Sequence, residues 1–83
     1  MNIIVNTKFN IGDKVYIANY YHDFYVTEKP HIIKDVLVVI NSNKTMIRYE
    51  VEQNGSTDCV PEYWVFPSYE ECAEWCESQN ADF

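Results

Sequence analysis

The sequence predicts a small, mostly β protein in which five short strands form a curled sheet or barrel and one helix follows at the C-terminal end. Three observations support this prediction. Apolar runs alternate with turn signals at close spacing, and helical spacing begins only after Phe66. Aromatic residues make up 16% of the chain and supply much buried area per residue, which argues for a folded domain. The 83 residues suffice for one domain, 1–83, with strands expected within 9–66 and a helix at about 68–79.

Three segments in the first half of the chain predict strands. After a turn at Gly12-Asp13, "KVYIANYY" places Val15, Ile17 and Tyr21 on one side of a strand. "HDFYVTE" predicts a second strand or an irregular return. "HIIKDVLVVIN" predicts a third strand. Its second half is apolar at both parities, which indicates a strand that curves between packed sheets or is covered on both sides.

The next segments predict a hairpin and a final strand. After a turn at "SNK", "TMIRYEVE" alternates, with Ile47, Tyr49 and Val51 on one side. The Asn-Gly pair at 54–55 is the strongest hairpin signal in the chain, because both residue types tolerate positive φ. "TDCVPEYWVF" predicts one last strand, in which Pro61 marks an edge or a bulge because proline has no N–H to donate.

The C-terminal segment "PSYEECAEWCESQNADF" predicts an amphipathic helix. Ser68 and Glu71 have the spacing of a capping box at its start. At about 100° per residue, the apolar stripe of this helix consists of Tyr69, Cys72, Ala73 and Cys76. The acidic side consists of Glu70, Glu74 and Glu77.

A family resemblance rests on four segments: "FNIGDKVYI", "IIKDVLVVI", "IRYEV" and "WVFPSYEECAEW". They resemble the small SH3-like barrel proteins of phages and mobile elements of gut and soil bacteria, in which a "GD-V" strand opens the barrel and a "vF-x-s-x-E-E-A" helix follows it. The resemblance covers residues 9–77 and implies an SH3-like fold, and its motifs include no catalytic residue. The chain departs from the pattern at Cys72, where an apolar residue is expected, and in a longer aromatic insert at Tyr20–Tyr25.

Charge is distributed unevenly along the chain. Residues 1–49 contain all six basic residues and four acidic ones, which gives +2, whereas residues 50–83 contain nine acidic residues and no Lys or Arg, which gives −9. Nucleic-acid binding requires Lys and Arg to displace counterions from phosphates. The distribution therefore argues against direct binding of nucleic acid and favours a basic protein partner.

No segment has the ~20 apolar residues of a membrane-spanning helix, and "MNIIVNTK" lacks the basic start and apolar run of a signal peptide. We therefore expect a cytoplasmic protein without a membrane partner. Three Cys residues, an odd number, fit reduced thiols better than a disulfide framework.

Cys72 and Cys76 permit three interpretations. They could bind a metal with Cys59, His22 or His31, since zinc accepts such ligands in a tetrahedral set. They could form a redox pair, although a disulfide between them would strain an intact helix. Their place in the apolar stripe favours small buried side chains that pack the helix onto the sheet. We therefore expect no metal site and no cofactor, and the absence of a nucleophile or phosphate-loop motif predicts a protein that is not an enzyme.

The aromatic run "YIANYYHDFY" has two interpretations that the sequence leaves open. Tyr20, Tyr21 and Tyr25 could line a groove that binds a peptide, as SH3-type surfaces do, or they could pack half-buried within the strands. Tyr63 and Trp64 are adjacent, so alternation in a strand would turn one of them outward. An exposed ring there would suit an interface.

The acidic C-terminal half suggests the function. Its carboxylates could only solubilise the protein, or they could dock on a basic surface of a host protein, in place of the phosphates of a nucleic acid. We expect the second role, plausibly that of an anti-defence inhibitor of the anti-CRISPR kind, with a nucleic-acid-binding effector as partner; the alternative is an adaptor that binds peptide through the aromatic strand. The expected partner-binding residues are Glu50, Glu52, Asp58, Glu62, Trp64, Glu70, Glu74 and Glu77.

Overall fold

Strands fill most of the chain up to Phe66, and a helix closes it. The computed structural model describes residues 4–53 and 55–81, except for the side chain of Gln53. The elements are β1 (Lys14–Tyr21), β2 (Asp23–Val26), β3 (His31–Ile40), β4 (Thr45–Gln53), β5 (Ser56–Pro61), a 3-10 turn (Glu62–Trp64), β6 (Val65–Phe66) and α1 (Tyr69–Asn80). The mostly β class with one C-terminal helix is confirmed, and α1 begins and ends one residue later than predicted.

The strands form a curled antiparallel sheet in the order β2-β1-β3-β4-β5, and β6 pairs with β1 beside this path. The curled five-stranded sheet with a helix is consistent with the predicted SH3-like fold. β1 pairs at one end with the start of β3, where Val15 lies opposite His31, and at the other end with β2, where Tyr20 lies opposite Phe24. This exchange of partners along β1 joins the β1–β2 hairpin to the β3–β4–β5 sheet.

β1 lies between two apolar clusters. Its residues Val15 and Ile17 pack into the first cluster, where they meet residues of the other strands and of the N-terminal segment: Phe9, Ile33, Tyr49, Val51, Val60 and Val65. Its residue Ala18 packs into the second cluster with Cys72 and Cys76 of α1, and Tyr16 lies beside them. Successive side chains of a strand point to opposite faces, so one strand serves both clusters.

Sequence alternation predicted four of the buried residues of the first cluster: Val15, Ile17, Tyr49 and Val51. Tyr49 and Val51, expected on one side of β4, are fully buried. Val15 and Ile17 are also buried, but Tyr21, expected on the same side of β1, is exposed because the strand has passed the edge of the core there.

The final predicted strand is divided in two. β5 ends at Pro61, a 3-10 turn follows, and β6 is only two residues long. The prediction of a single strand over "TDCVPEYWVF" was therefore wrong. Pro61 cannot continue the hydrogen-bonded ladder, and the chain leaves β4 after it and returns beside β1. The prediction that Pro61 lies at an edge is confirmed, since β5 is the last strand of the sheet.

The second half of β3 is not covered as predicted. Leu37, Val38, Val39 and Ile40 are each between 40% and 50% exposed. A bulge between Ile33 and Asp35 shifts the pairing with β4, and beyond it the strand runs past the core.

The turns and the helix start agree with the sequence. Gln53 lies opposite Ser56, and Gly55 between them has a φ of 83°. Asn54, the other residue of the predicted hairpin turn, lies outside the described residues. The Ser68 Oγ accepts a hydrogen bond of 3.3 Å from the Glu71 N–H and so caps α1. Within residues 4–53 and 55–81, no helix combines the length and apolar character that crossing a membrane requires.

A candidate acidic and aromatic interface

An open cleft of about 650 Å³ lies between one flank of α1, the segment that follows β5 and the N-terminal segment. Among the described residues, the carboxylates of Glu62, Glu71 and Glu74 border it together with the basic residue Lys8. We call this the acidic cleft. Its other lining residues are Phe9, Tyr63, Val65, Phe66, Pro67, Trp75 and Ser78.

Hydrogen bonds fix the carboxylate of Glu62. The Tyr49 hydroxyl donates to it, and the Lys8 backbone N–H donates to the same oxygen at 3.2 Å. The Phe9 N–H in turn donates to the Tyr49 hydroxyl at 3.3 Å. Burial of the ring, with the hydrogen bond to Glu62, raises the pKa of Tyr49 to about 12. The Glu62 side chain is therefore held in place at the border of the cleft, and its hydrogen bonds connect the N-terminal segment to β4.

The helix supplies the other two carboxylates. Glu71, Glu74 and Ser78 follow one another at helical i, i+3, i+7 spacing, so they share a face, and all three line the acidic cleft. Glu71 also belongs to the first turn of α1, where a negative charge interacts favourably with the helix dipole. Both glutamates are exposed and face solvent beside the cleft.

Aromatic rings form the apolar wall of the cleft. Trp75 is half-buried and packs against Phe24 and Phe66, with ring centroids 4.9 and 5.8 Å away. Tyr63 is 66% exposed, and its ring stands edge-to-face on Trp64. The cleft thus combines anionic groups with aromatic surface, which are the groups that attract Arg and Lys side chains.

The acidic residues predicted for the interface fall on different surfaces. Glu62 and Glu74 line the acidic cleft. Glu77 lies on the other flank of α1, beside a hollow that also includes Tyr25 and Tyr69. Glu70 is exposed seven residues before Glu77, on that same flank.

Glu50, Glu52 and Asp58 lie on the β4–β5 hairpin. Glu50 and Glu52 alternate with the buried Tyr49 and Val51, so they occupy the outer face of the sheet, which is turned away from the first cluster. Glu52 pairs with Lys34 at 3.0 Å between exposed side chains. Asp58 is exposed and lies opposite Val51. α1 packs on β1, β2 and β6, so the structure does not join these three acids to the acidic cleft.

Trp64 was expected in the interface, but Tyr63 is the more exposed ring of this adjacent pair. Trp64 is half-buried in the second cluster and contacts Phe24, with ring centroids 5.6 Å apart. Tyr63 is the outward ring, as adjacency of the two residues had suggested, although both lie in a 3-10 turn rather than a strand.

The three tyrosines of the aromatic segment are all exposed. Tyr20 lies opposite Phe24 on the helix side of the β1–β2 hairpin, with ring centroids 5.0 Å apart. Tyr21 and Tyr25 have the opposite parity to Tyr20 and Phe24 along the hairpin, although Tyr25, on the edge strand β2, also borders the hollow beside Glu77. The two sides could therefore serve separate contacts but do not make one groove of three tyrosines.

The cysteines of α1 pack as predicted. Cys72 and Cys76 are buried against Ala18 in the second cluster. Burial raises the pKa of the Cys72 thiol to about 12 and also raises that of Cys76. Cys59 is exposed, and its sulfur accepts a hydrogen bond of 3.3 Å from the Arg48 Nε.

The histidines lie apart from the cysteine pair. His31 is buried, and its ring contacts the Glu52 carbonyl and the Thr27 hydroxyl, each at 3.3 Å. His22 is exposed at the β1–β2 turn with a φ of 67°. Within the described residues, no three His, Cys, Asp or Glu side chains converge as metal ligands.

Several residues of the acidic cleft were not predicted from the sequence. Glu71 was assigned only to the helix cap, and Lys8 and Phe66 were not singled out. For Tyr63 and Trp64, alternation indicates only that one of the two rings faces outward. Trp75 adjoins Cys76 of the helix stripe, and that position is the signal in the sequence that its ring is only partly covered.

Comparisons of the chain with known protein families, curated proteins and solved structures found no match.

Proposed function

We propose that this chain is a non-enzymatic binding protein that docks on a basic surface of a partner protein through an acidic C-terminal surface, formed by the acidic cleft and the exposed acids of α1. The observation that carries the proposal is the acidic cleft, in which Glu62, Glu71 and Glu74 stand beside the accessible rings of Tyr63 and Trp75. A partner Arg or Lys would find a carboxylate and an aromatic face within one open depression.

Charge over the whole C-terminal region supports the same proposal. Residues 50–83 contain nine acidic residues and no Lys or Arg. The exposed acids of α1 continue the negative surface from the cleft around the helix, through Glu70 and Glu77. A surface of one sign attracts an oppositely charged partner over about 8 Å at physiological salt and raises the rate of encounter.

The narrower form of the proposal is an inhibitor from a phage or mobile element that occupies the nucleic-acid-binding surface of a cytoplasmic host effector, in the manner of anti-CRISPR proteins. Support comes from the size of the chain, its acidic region and the resemblance of its strand and helix segments to small phage barrel proteins. Carboxylates spaced along a helix can replace phosphates at a basic groove.

A second candidate function is that of an adaptor that binds peptide through the β1–β2 hairpin. The exposure of Tyr20, Tyr21 and Tyr25 favours it. Such a site would depend on ring contacts rather than charge, so substitution of the tyrosines, and not of the glutamates, would abolish binding.

A competition experiment tests the main proposal. Host proteins that bind the wild type are captured and purified, and each is given a labelled nucleic acid that it binds. The Glu70→Lys/Glu74→Lys/Glu77→Lys variant is compared with the wild type on each captured protein. The wild type is expected to displace the nucleic acid, and the triple variant is expected to fail. A control variant with the same change in net charge carries Glu28→Lys, Glu50→Lys and Asp58→Lys. The sequence placed Glu50 and Asp58 among the expected partner-binding residues, but they lie on the β4–β5 hairpin and do not line the acidic cleft.

The outcomes are distinct. Displacement by the wild type and the control variant, but not by the helix variant, supports the proposal. Equal loss in both variants would mean that only net charge matters. A captured partner whose binding survives both variants but is lost on Tyr21→Ser and Tyr25→Ser would favour the adaptor.

A further inference from the structure

β3 has a free edge over most of its length. On the side away from β4, β1 pairs with His31 and Ile32 at the start of the strand, and β3 continues to Ile40. Among the described residues, no strand pairs with that side after the bulge at 33–35. A long free edge with apolar side chains is a template for pairing with another strand.

The backbone groups at this edge can be assigned from the hairpin turn. The Asn41 N–H donates to the Lys44 carbonyl at 3.0 Å, so residue 41 directs its N–H towards β4. Alternation along a strand then directs the N–H and C=O groups of Ile40, Val38 and Val36 outward. Three alternate residues therefore present donors and acceptors to a further strand.

The side chains of the same segment are apolar on both faces. Leu37 and Val39 lie on the outer face of the sheet with Arg48 and Met46 of β4, and Val38 and Ile40 lie on the other face with Ile47 and Thr45. All four β3 side chains are at least 40% exposed. A strand added at this edge would bury apolar surface on both faces.

The charges at the two ends of the free edge of β3 indicate which strand would pair with it, and in which direction. From Val36 to Tyr49 the chain has no acidic residue, although its net charge is −7. An acid, Asp35, lies at one end of the free edge, and a base, Lys44, lies in the turn at the other end. In an antiparallel pair of identical strands, each Asp35 would approach the other copy's Lys44, whereas a parallel pair would bring like charges together.

We propose that the free edge of β3 binds the same edge of a second copy of this chain, antiparallel and centred on Val38. In this register Val38 faces Val38 of the second copy and Val36 faces its Ile40, so all outward backbone groups of the three residues are paired. Opposed residues then have the same parity, which keeps Leu37 and Val39 of both copies on one continuous face. The contact is isologous and closes a two-fold dimer, which leaves no further β3 edge free.

The dimer does not depend on the proposed function. The acidic cleft is built from α1, the 62–67 segment and the N-terminal segment, and β3 does not line it. Reversing the charges of Glu70, Glu74 and Glu77 is therefore expected to leave dimerisation unchanged.

Sedimentation velocity of the full chain, from about 1 µM to about 500 µM, tests the proposal at concentrations where weak and moderate dimers dissociate. The wild type is expected to show a concentration-dependent monomer–dimer equilibrium. Val38→Pro removes the outward N–H, and proline is tolerated at an edge whose N–H faces away from the sheet. The substitution is expected to raise the dissociation constant of the dimer about thirtyfold, or about 2 kcal/mol. The reason is that each copy loses one hydrogen bond to the other. Val38→Ile keeps the N–H and is the matched control.

A charge exchange tests the antiparallel register. Asp35→Lys alone places like charges at both ends of the contact and is expected to weaken the dimer about tenfold. Adding Lys44→Asp restores opposite charges and is expected to recover most of that loss. Circular dichroism of each variant verifies that the monomer remains folded.

A wild type that stays monomeric at the highest concentration would overturn the proposal, and so would a dimer indifferent to Val38→Pro. A monomer whose β3 edge instead binds lipid vesicles or an added apolar strand peptide would assign the edge to another occupant, against the proposal. A failure of Lys44→Asp to compensate for Asp35→Lys would overturn the antiparallel register.

Discussion

At the scale of single residues, the Tyr49 hydroxyl connects the core to the acidic cleft. The ring is fully buried in the first cluster, and it packs edge-to-face on Phe9 with ring centroids 5.8 Å apart. Its hydroxyl donates to Glu62 and accepts from the Phe9 N–H. One side chain thus holds β4, the N-terminal segment and a carboxylate of the acidic cleft in a fixed relation.

Tyr49→Phe is expected to lower the free energy of unfolding by about 1–3 kcal/mol, because the buried partners of the hydroxyl lose a hydrogen bond. Urea denaturation at neutral pH measures this. Tyr63→Phe, at an exposed ring, is the control and is expected to change stability by less than about 0.5 kcal/mol. Equal stability of Tyr49→Phe and wild type would show that the hydroxyl does not hold Glu62.

The pH dependence of stability in the wild type and in Tyr49→Phe gives a second prediction. The pKa of Tyr49 is raised from 10.0 to about 12 in the folded protein, so the unfolded chain loses this proton first as the pH rises. The contribution of the protonated Tyr49 hydroxyl to the free energy of unfolding is complete below pH 10, and it is lost as the pH rises towards 12 and beyond. The difference in unfolding free energy between wild type and Tyr49→Phe should therefore shrink above pH 10. A constant difference across that range would contradict the assignment.

Thiol reactivity distinguishes the three cysteines. Thiolates are the reactive form, and burial holds the pKa of Cys72 near 12. With a thiol reagent at pH 8, one thiol is expected to react rapidly and two only as fast as the protein unfolds. Cys59→Ser should remove the rapid phase. Rapid reaction of all three thiols would contradict the buried packing of α1.

Metal content gives a second test of whether Cys72 and Cys76 are buried packing residues or metal ligands. We expect protein purified without chelator to contain no stoichiometric zinc, since Cys72 and Cys76 pack against Ala18 rather than facing further ligands. Stoichiometric zinc that is lost together with the fold on chelation would make the pair metal ligands.

At the scale of elements, α1 is attached by packing and by one side-chain amide. The Asn80 Nδ2 donates to the Phe24 carbonyl at 2.8 Å, and its Oδ1 accepts from the Phe24 N–H at 2.9 Å. Both groups belong to β2, an edge strand. The last turn of α1 therefore pairs with β2 in the way that a further strand would.

Asn80→Ala is expected to destabilise the protein by about 1–3 kcal/mol, because it removes two hydrogen bonds and leaves the Phe24 backbone groups without them. Gln79→Ala, one position earlier on the helix, is the control. Thermal unfolding followed by circular dichroism provides the comparison. If the two variants unfold at the same temperature, the amide does not secure the end of α1.

The sequence was sufficient for the regular elements and not for what lies between and around them. Alternation in β4 predicted burial of Tyr49 and Val51, because one face of the strand meets the core. The division of the last predicted strand depends on which neighbour each half pairs with, and Pro61 indicated only an edge or a bulge. The apolar second half of β3 looked covered because hydrophobicity does not reveal how far the neighbouring strands extend. The acidic cleft required the tertiary contact of α1 with the 62–67 segment, which no local pattern contains.

At the scale of the whole molecule, three surfaces differ in chemical character and lie on different elements. The acidic cleft and the exposed acids of α1 form an anionic region, the β1–β2 hairpin exposes tyrosines, and the free edge of β3 is apolar. We propose the first for a basic partner and the third for a second copy. The hairpin tyrosines distinguish the two candidate functions.

Tyr21→Ser with Tyr25→Ser is expected to leave affinity for the captured partner within about threefold, since scattered exposed rings outside an interface contribute little. Both side chains lie on the same side of the β1–β2 hairpin. Binding measured at equilibrium, with folding checked separately, tests this. A loss of more than about 2 kcal/mol in affinity would move the interface to the aromatic hairpin.

The most direct test of the proposed function is the association rate with the captured partner at two salt concentrations. If the anionic region guides the encounter, the wild-type rate should fall as salt rises. Glu70→Lys/Glu74→Lys/Glu77→Lys should slow association about tenfold or more at low salt, while α1 stays folded because Lys is a good helix former. The Glu28→Lys/Glu50→Lys/Asp58→Lys control should slow it less. A wild-type rate indifferent to salt, or an unchanged rate in the helix variant, would contradict the account and leave the acids as solubilising charge.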